Sequence, residues 1–459
     1  MYNIDFNKPL HIHFVGIGGI SMSGLAQILL EEGFTISGSD SKKSELTSHL
    51  AALGAKIYYG QRESNITPDT QLLVYTAAVK TDNPEYIAAK EQNIPILTRA
   101  QLLGQIMSNY NTSIGVSGTH GKTTTTSMLS EIMLEGSLDP TISIGGILNR
   151  IHGNIKVGNS PYFITEACEY TNSFLSFHPT IGVILNIGAD HLDFFKDLDD
   201  IRHSFLLYAE NIPSNGTLVI NGNIENLNYF LDNLECKVVT FGDKDSNNYS
   251  PANISYNEFA CGSFDLMVDG QFSTHITLKV PGKHNVLNSL AAIAAAVDMD
   301  IPMETIKNGL SSYEGTDRRF QFKGKIFGVT IIDDYAHHPD EIIASLKTAK
   351  DYTHNKIWCV FQPHTYTRTK ALLKEFAAAL SLADEVVLAD IYAAREDNES
   401  GVSSEDIQKE LELLGKNSHY FPSFDEIENF LLLNCVHDDL LITMGAGDIA
   451  KVGNSLLGL

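Results

Sequence analysis

The sequence predicts an α/β protein built from three domains in series, and three observations support this prediction. The 459 residues leave room for three cores at roughly 150 residues a domain. Short apolar segments typical of buried strands alternate with segments of helical length. Glycine-rich turns follow two of the predicted strands, where a parallel sheet passes into a helix. We predict a Rossmann-like domain at 1–108, a P-loop ATPase-like domain with a mixed sheet at 109–312, and a second Rossmann-like domain at 313–459.

The first domain opens with a strand, a glycine turn and a helix, an arrangement that binds diphosphates. The strand covers 12–15, and a second strand ends at Asp40, where a carboxylate often binds a ribose hydroxyl. The third glycine of the dinucleotide fingerprint is replaced by Ser21. NAD and any other nucleoside diphosphate fit this geometry, and a turn that only packs a strand against a helix is the alternative. The predicted diphosphate-binding residues are Gly16, Ile17, Gly18, Gly19, Ser21 and Asp40.

The second domain opens with GVSGTHGKTT at 115–124, which combines the parts that hold a triphosphate. An apolar strand at 113–116 precedes the loop and a helix at 123–135 follows it. Standard P-loop spacing places a glycine where Val116 stands, so this loop is a variant. We expect Lys122 to reach the outer phosphates of ATP and the Thr123 hydroxyl to bind Mg²⁺. The predicted phosphate-binding residues are Gly118, Thr119, His120, Gly121, Lys122, Thr123 and Thr124.

The composition excludes several classes of partner. Asp and Glu number 56 against 32 Lys and Arg, a net charge of −24, which argues against a nucleic-acid partner. The five cysteines lack paired spacing, so we expect neither a disulfide scaffold nor a zinc ribbon. No stretch of the sequence approaches the roughly 18 apolar residues of a membrane span, and no cleavable apolar segment precedes the first strand. We expect a soluble cytoplasmic protein without a membrane partner.

Acidic residues and a histidine end the two strands that we expect beside the P-loop. Glu166 closes a strand at 162–166, and His191 follows a strand at 180–187. The carboxyl ends of parallel strands open onto one crevice, so these side chains should face the loop. A carboxylate and an imidazole there can complete a Mg²⁺ shell. The predicted metal ligands are Thr123, Glu166 and His191, and the alternative is that these are ordinary surface or core residues.

A polar segment at 282–288 precedes an alanine-rich helix that we place at 289–297. Side-chain amides and an imidazole at a helix start suit hydrogen bonding to a base or a phosphate. Helix capping by asparagine is the alternative. The candidate residues are His284, Asn285 and Asn288.

The third domain carries arginines close to acidic and histidine side chains. Arg318 and Arg319 lie a short loop away from the segment 333–339, which holds two aspartates and two histidines. Arg368 follows a further predicted strand at 357–361. A fixed guanidinium suits a carboxylate or a phosphate, so we predict an anionic substrate group in this domain.

Eight segments, in order, resemble motifs of the Mur ligases of peptidoglycan synthesis and together span nearly the whole chain. They are HFVGIGGISMSGLA at 13–26, GVSGTHGKTTTT at 115–126, EACEYTNSFL at 166–175, NIGADHLDFF at 186–195, GKHNVLNSLAA at 282–292, DRRF at 317–320, IDDYAHHPDEI at 332–342 and FQPHTYTRT at 361–369. Eight ordered matches leave almost no room for chance, so the chain is identified as a member of that family.

The resemblance implies an ATP-dependent ligase of peptidoglycan precursor synthesis. Such an enzyme activates the lactyl carboxylate of UDP-N-acetylmuramate as an acyl phosphate, joins L-alanine to it, and releases ADP and phosphate. The glycine turn of the first domain then binds UDP, which argues against NAD. The resemblance also implies that ATP is used with Mg²⁺, which Mn²⁺ could replace, by a protein that is a monomer or a homodimer.

The same resemblance implies roles for single residues. The catalytic set is Lys122, Glu166, His191, Arg319 and His337. The residues that bind ATP besides the P-loop are His284, Asn285, Asn288, Arg319 and Asp334. The amino-acid pocket consists of Tyr335, His337, His364 and Arg368. By residue type, the base for the amine is His337 or His191, with Asp334 as the orienting carboxylate.

The chain departs from the commonest family pattern in three respects. Many members read EADESD where this chain reads EACEYT at 166–171, and many carry arginine in place of Thr365. Members that add later amino acids use a carbamylated lysine after the DH motif, yet no lysine lies between Lys196 and Lys237. This absence favours the alanine-adding branch. The alternatives are a recycling ligase for a preformed tripeptide, a nucleotide-gated binding protein, and an NAD-dependent dehydrogenase with an appended ATPase.

Overall fold

The structure is a computed structural model that describes residues 3–76, 79–191, 194–232, 234–394, 396–399 and 401–459. It confirms the α/β class with three sheets in series. The chain divides into two units, one with residues 1–250, 268–270 and 290–309 and the other with residues 251–267, 271–289 and 310–459. Among the described residues, no helix is both long and apolar enough to cross a membrane.

The N-terminal sheet is parallel and Rossmann-like. Its strands are β1 (His11–Val15), β2 (Thr35–Asp40), β3 (Lys56–Tyr59), β4 (Leu72–Tyr75) and β5 (Ile96–Thr98), in the order β3-β2-β1-β4-β5. Its helices are α1 (Ile20–Glu31), α2 (Glu45–Ala52), α3 (Pro84–Glu91) and α4 (Arg99–Met107), and a 3₁₀ turn covers Glu63–Asn65. The strand order reverses at β1, so the turn after β1 lies at the topological switch point where such sheets bind ligands.

The central sheet of the first unit is mixed, as predicted. Its strands are β6 (Thr112–Ser117), β7 (Thr141–Leu148), β8 (Gly153–Lys156), β9 (Tyr162–Glu166), β10 (Ile181–Ile184), β11 (Thr217–Asn221) and β12 (Lys237–Phe241). Their order is β8-β7-β9-β6-β10-β11-β12, and β8 pairs antiparallel with β7. The helices are α5 (Lys122–Glu135), α6 (Leu198–Glu210) and α7 (Asn228–Leu231), with 3₁₀ segments at Asn149–Ile151 and Tyr170–Ser176. Because β6 lies between β9 and β10, the three strands end at one edge of the sheet.

Three further strands follow, β13 (Tyr249–Tyr256), β14 (Cys261–Val268) and β15 (Gln271–Pro281), with β14 in the middle. A turn at Asp269 and Gly270 joins β14 to β15, and both residues have positive φ. The next helices are α8 (Lys283–Asp298) and α9 (Met303–Ser312). The prediction that α8 starts at 289 was wrong, since the helix begins six residues earlier. Polar side chains did not stop it because Asn288 donates to the Asn285 side chain one turn away.

The C-terminal sheet is parallel except at one edge. Its strands are β16 (Gln321–Ile326), β17 (Val329–Asp334), β18 (Ile357–Phe361), β19 (Glu385–Leu388), β20 (Ser418–Tyr420) and β21 (Leu440–Met444), in the order β16-β17-β21-β18-β19-β20. β16 pairs antiparallel with β17. The helices are α10 (Pro339–Asp351), α11 (Tyr366–Ala371), α12 (Leu373–Leu380), α13 (Ser404–Leu413), α14 (Phe424–Asn434) and α15 (Ala450–Leu457). The predicted domain bounds at 108 and 312 fall in or next to helix ends and stay predictions.

One hydrophobic core runs through the first unit. It contains apolar residues of the N-terminal sheet, such as Phe14 and Leu102, and of the central sheet, such as Phe163 and Phe174. At Gly24 in α1, a Cβ atom would lie 2.3 Å from the Ile155 side chain of β8. The N-terminal and central sheets therefore share their packing across the predicted bound at 108.

The buried tyrosine of α6 connects this core to the strand before the P-loop. The Tyr208 hydroxyl donates to the Gly115 carbonyl oxygen at 2.7 Å, and its ring stacks on Phe174 with centroids 4.9 Å apart. Burial raises the pKa of Tyr208, so the hydroxyl stays protonated. A Cβ atom at Gly115 would lie 2.5 Å from the Tyr208 hydroxyl oxygen, which explains the glycine there.

We expect Tyr208→Phe to lower the free energy of unfolding by about 1–2 kcal/mol, because a buried hydrogen bond is lost while the ring packing is kept. Urea denaturation followed by circular dichroism measures this change. Tyr229→Phe is the matched control, since Tyr229 is 45% exposed and its loss should change little. Equal unfolding midpoints for Tyr208→Phe and wild type would contradict the prediction.

Candidate active site

The P-loop has the geometry that the sequence predicted. It connects β6 to α5, and Gly121, with φ 87°, is the N-cap of that helix. Gly118 has φ 143°, and a Cβ atom there would lie 2.9 Å from the Leu185 side chain. The His120 amide donates to the Asn186 side chain at 2.9 Å, and the Asn186 amide donates back to the His120 carbonyl at 2.9 Å. The loop is thereby fixed against the segment that follows β10, and the amides of the first turn of α5 form an anion site.

Lys122 lies in this loop with its ammonium group held by protein oxygens. Its Nζ lies 2.9 and 3.1 Å from the two carboxylate oxygens of Glu169 and 2.5 Å from the Gly118 carbonyl oxygen. Burial works against the charged form, but the negative charges nearby, first among them Glu169, outweigh it and raise the pKa of Lys122. The lysine is therefore charged and largely desolvated, which strengthens its attraction for phosphate.

Two of the predicted metal ligands end strands or follow them beside the loop. Glu166 is the last residue of β9, and its carboxylate accepts a hydrogen bond from the Gly145 amide. His191 follows β10 after a loop and has φ 54°. Its Nε2 lies 3.8 Å from Glu169 Oε1, and its ring centroid lies 4.4 Å from that of Tyr170. Two carboxylates thus lie beside His191, because Asp190 Oδ2 is also 3.8 Å from its Nε2.

The donor set of Thr123, Glu166 and His191 suits a hard divalent cation that keeps phosphate or water oxygens as further ligands. Within the described ranges, no group of three or more His, Cys, Asp and Glu side chains is arranged to hold a metal ion by itself. Leu192 and Asp193 of the motif at 186–195 lie outside the described residues.

The glycine turn after β1 is held by the end of β2. The Gly16 and Ile17 amides donate to the Ser39 carbonyl oxygen at 2.9 and 3.0 Å. The Gly18 amide donates to Asp40 Oδ2 at 2.8 Å, and the Ser41 amide donates to Asp40 Oδ1 at 2.7 Å. Oδ2 of Asp40 thus fixes the turn and Oδ1 accepts from the next residue, so a ribose hydroxyl would share these oxygens. Gly19 is the N-cap of α1.

Arg99, which sequence reasoning missed, lies beside this turn. Arg99 is the first residue of α4, and its Nη1 donates a hydrogen bond to the Ser21 hydroxyl at 3.1 Å. Burial lowers the pKa of Arg99, whose Nη1 bonds to a neutral hydroxyl. A desolvated cation of this kind attracts an anion. Its sequence signal was a lone arginine at a helix start, which is too common to single out.

In the second unit, the two asparagines of the predicted nucleotide contacts make hydrogen bonds at the start of α8. Asn285 donates to the Pro281 carbonyl oxygen at 2.8 Å, and Asn288 donates to the Asn285 side chain at 2.9 Å. Both are buried inside the first turns of α8. Neither bond is a helix cap, since both side chains donate from inside α8. Contact of His284, Asn285 and Asn288 with a nucleotide stays a prediction.

The paired arginines of the second unit differ in their surroundings. Both guanidinium groups lie over the Tyr335 ring, at 5.0 Å for Arg318 and 5.5 Å for Arg319. Arg318 also donates to Asp333 at 3.1 Å and to the Gly445 carbonyl oxygen at 2.6 Å. Arg318 therefore joins β17 to the turn after β21, a structural role.

Two histidines and an arginine of the predicted amino-acid pocket come together in the second unit. The His337 and His364 ring centroids are 6.0 Å apart. Burial lowers the pKa of His337, and burial with the charges nearby lowers that of His364 to about 4, so both rings are neutral at pH 7. Arg368 Nη1 and His364 Nδ1 are buried without a hydrogen-bond partner among the described residues. Buried polar atoms of this kind are normally paired, so these two groups fit a polar ligand.

The expected orienting carboxylate for His337 was wrong. Asp334 accepts hydrogen bonds from the Ser345 hydroxyl at 2.6 Å and the Ala336 amide at 2.9 Å. The carboxylate beside His337 is Glu341, at 3.3 Å from Nδ1. The helix α10 explains the difference, because position 341 lies one turn from His337 whereas Asp334 is turned toward Ser345.

Burial raises the pKa of Asp334 to about 6, above its unfolded value of 3.8. The folded state therefore holds a proton that the unfolded state loses first. The stability of the wild type therefore falls by about 3 kcal/mol as the pH rises from about 4 to above 6, because the folded protein must then bury a charged carboxylate. Asparagine carries no charge at any pH, so we expect the stability of Asp334→Asn relative to wild type to increase by about 3 kcal/mol between pH 4 and pH 7. Urea denaturation at several pH values measures it, with exposed Asp351→Asn as the control. A difference that does not change with pH would contradict the expectation.

A P-loop in a mixed sheet, with a Rossmann-like sheet before it and another after it along the chain, defines a nucleotide-binding α/β protein. Three family models match the chain, namely the Mur ligase family catalytic domain at 11–111, the Mur ligase middle domain at 116–296 and the Mur ligase glutamate ligase domain at 318–447. The chain belongs to the Mur ligase family.

Related ligases match this chain over its full length. The UDP-N-acetylmuramate–L-alanine ligases of Lachnospira eligens and Agathobacter rectalis are 59% and 60% identical, with 100% of each chain covered. The crystal structure of a UDP-N-acetylmuramate-alanine ligase from Thermotoga maritima superposes with a TM-score of 0.80 at 31% identity over 98% of both chains. A murein peptide ligase from Psychrobacter arcticus shares the fold, with a TM-score of 0.71 at 24% identity over 98% of both chains.

Proposed function

We propose that this chain joins L-alanine to the lactyl carboxylate of UDP-N-acetylmuramate in peptidoglycan precursor synthesis, with ATP converted to ADP and phosphate. The observation that carries the choice of substrates is full-length identity of 59–60% to ligases of that name. The charged, desolvated Lys122 in its P-loop supports the use of ATP. The absence of a lysine between 196 and 237 agrees with the alanine-adding branch.

In the proposed reaction, a carboxylate oxygen attacks the γ-phosphorus, ADP leaves, and an acyl phosphate forms. Each pair of like charges at about 4 Å repels by roughly 4 kcal/mol at an effective dielectric near 20. Lys122 offsets part of this repulsion at the outer phosphates. Mg²⁺, when bound by Thr123, Glu166 and His191, supplies further positive charge to the phosphate oxygens.

The L-alanine amine then attacks the acyl carbon, phosphate leaves, and the amine gives up a proton. The amine must be neutral to attack, so a neutral imidazole is needed. His337 suits this task because burial keeps its ring neutral and Glu341 lies 3.3 Å away to orient it. We assign Arg368 to the alanine carboxylate and Tyr335 and His364 to the walls of the same pocket. Arg319 and Asp334 stay proposed contacts of the nucleotide.

The remaining proposals concern the surroundings of the reaction. We propose that the glycine turn at 16–19 with Ser21 binds the UDP diphosphate, and that Arg99 adds a positive charge beside it. We also propose Mg²⁺ as the metal, with Mn²⁺ able to replace it, a monomer or homodimer as the active form, and the cytoplasm as its location.

Phosphate release from ATP tests the proposal. Purified protein, Mg²⁺ and UDP-N-acetylmuramate are combined with L-alanine, L-serine, glycine or the tripeptide as acceptor. We expect release that depends on both the UDP-sugar and L-alanine. Dependence on the tripeptide would move the protein to the recycling branch. No phosphate release with any acceptor would indicate a nucleotide-gated binding protein.

A further inference from the structure

Glu169 joins two residues that the proposed reaction uses, and no sequence motif had given it a role. One of its oxygens lies 2.9 Å from Lys122 Nζ, and the other lies 3.1 Å from Nζ and 3.8 Å from His191 Nε2. Glu169 is only 2% exposed. The 3₁₀ segment that starts at the next residue begins with Tyr170, whose ring packs on His191. A single buried carboxylate thus contacts the P-loop lysine and lies beside the strand-end histidine.

We propose that Glu169 is a positioning residue that holds Lys122 and His191 for phosphoryl transfer and releases Lys122 to the phosphates when the nucleotide binds. This inference rests on the proposed function, because that function gives Lys122 and His191 their tasks. The triphosphate and the Glu169 carboxylate are both negative and compete for one ammonium group. The free protein therefore holds its lysine charged and in place, at the expense of nucleotide affinity.

The other contacts of Lys122 support this exchange of partners. Apart from Glu169, its Nζ bonds to two carbonyl oxygens of its own loop, at 2.5 Å for Gly118 and 3.2 Å for Thr119. These neutral acceptors can remain while phosphate oxygens replace the carboxylate. Glu169 then keeps His191 as its neighbour at 3.8 Å. The Glu169 carboxylate thus holds Lys122 before the nucleotide binds and stays beside His191 afterwards.

Glu169→Gln tests the inference because it removes the charge and keeps the shape. Titration calorimetry with the β,γ-imido analogue of ATP, in EDTA and again in Mg²⁺, measures binding without turnover. We expect Glu169→Gln to bind the analogue about tenfold more tightly in EDTA, because repulsion and competition for Lys122 are gone. We expect kcat to fall about 30- to 100-fold, because Lys122 and His191 are no longer held. Glu225→Gln, 79% exposed and paired with Arg202, is the control that should change neither.

A purely structural role would weaken binding and kcat together, so that result, or an unchanged kcat, would overturn the inference. Glu169→Asp provides a second test that stands even if the Gln variant does not fold. A carboxylate one methylene shorter keeps the charge but does not reach both partners, so we expect analogue affinity within about threefold of wild type and kcat about tenfold lower. Wild-type kcat in Glu169→Asp would also overturn it. Failure of the proposed function would appear differently, as wild-type protein that binds the analogue but releases no phosphate with alanine.

Discussion

Lys122→Ala abolishes turnover, with kcat expected to fall by at least about 10³-fold, while UDP-N-acetylmuramate still binds within about threefold of wild type. The ammonium group is the cation that the structure places in the P-loop, at the start of α5. Its loss removes the positive charge of Lys122 that offsets the repulsion between the lactyl carboxylate and the γ-phosphate. The UDP turn at 16–19 is fixed by its own bonds to the end of β2, so it does not depend on Lys122.

Phosphate release and titration calorimetry with UDP-N-acetylmuramate measure the two expectations separately. Removing Lys122 also leaves the buried carboxylate of Glu169 without its ion-pair partner, which lowers the free energy of unfolding. The double variant Lys122→Met with Glu169→Gln removes both charges and separates loss of chemistry from loss of fold. Lys237→Ala, at a side chain 64% exposed, is the surface control. Loss of UDP-sugar binding in the Lys122 variants would show that the two sites are not separate.

Arg368→Ala raises the KM for L-alanine by about 10²- to 10³-fold and leaves nucleotide binding unchanged, because a buried charged hydrogen bond to a carboxylate contributes roughly 2–5 kcal/mol. The guanidinium Nη1 is buried without a partner among the described residues. Its charge also helps to lower the pKa of His364 to about 4, after burial and His337. A carboxylate ligand would satisfy the unpaired atom and offset the charge.

Steady-state kinetics with L-alanine as the varied substrate measure this effect. Arg368→Lys should recover only part of the affinity, because an ammonium group does not make the two parallel bonds of a guanidinium. Lys370→Ala, on the exposed side of the same helix α11, is the control. A KM for L-alanine close to wild type in Arg368→Ala would place the carboxylate elsewhere.

The elements around the P-loop could be predicted from the sequence nearly to the residue. β6 is a short, mostly buried strand and α5 is a helix whose N-cap is a glycine, and both signals are local. The edge strands β16 and β20 were missed. β16 carries Gln321, Lys323 and Lys325, and β20 has three residues, so neither shows the apolar pattern of a buried strand.

The partners of functional side chains were less predictable than the side chains themselves. Lys122 and His337 could be identified by type and position, but their carboxylates, Glu169 and Glu341, could not. Glu169 approaches Lys122 from a different strand end, 47 residues further along the chain. Asp334 and Glu341 both stand near His337 in sequence, and only the direction of α10 decides which one faces it. Contacts of this kind depend on tertiary structure, which residue spacing does not encode.

The hydrophobic core shared by the N-terminal and central sheets limits which substitutions and domain exchanges the protein can accept. Family models divide the chain between residues 111 and 116, as if two modules met there. Yet Phe14 and Phe163 belong to one cluster, and Gly24 leaves no space between α1 and Ile155. The N-terminal sheet could not be exchanged for that of another ligase without redesigning the residues of the central sheet on which it packs. Substitutions in one module would therefore have to be matched by substitutions in the other.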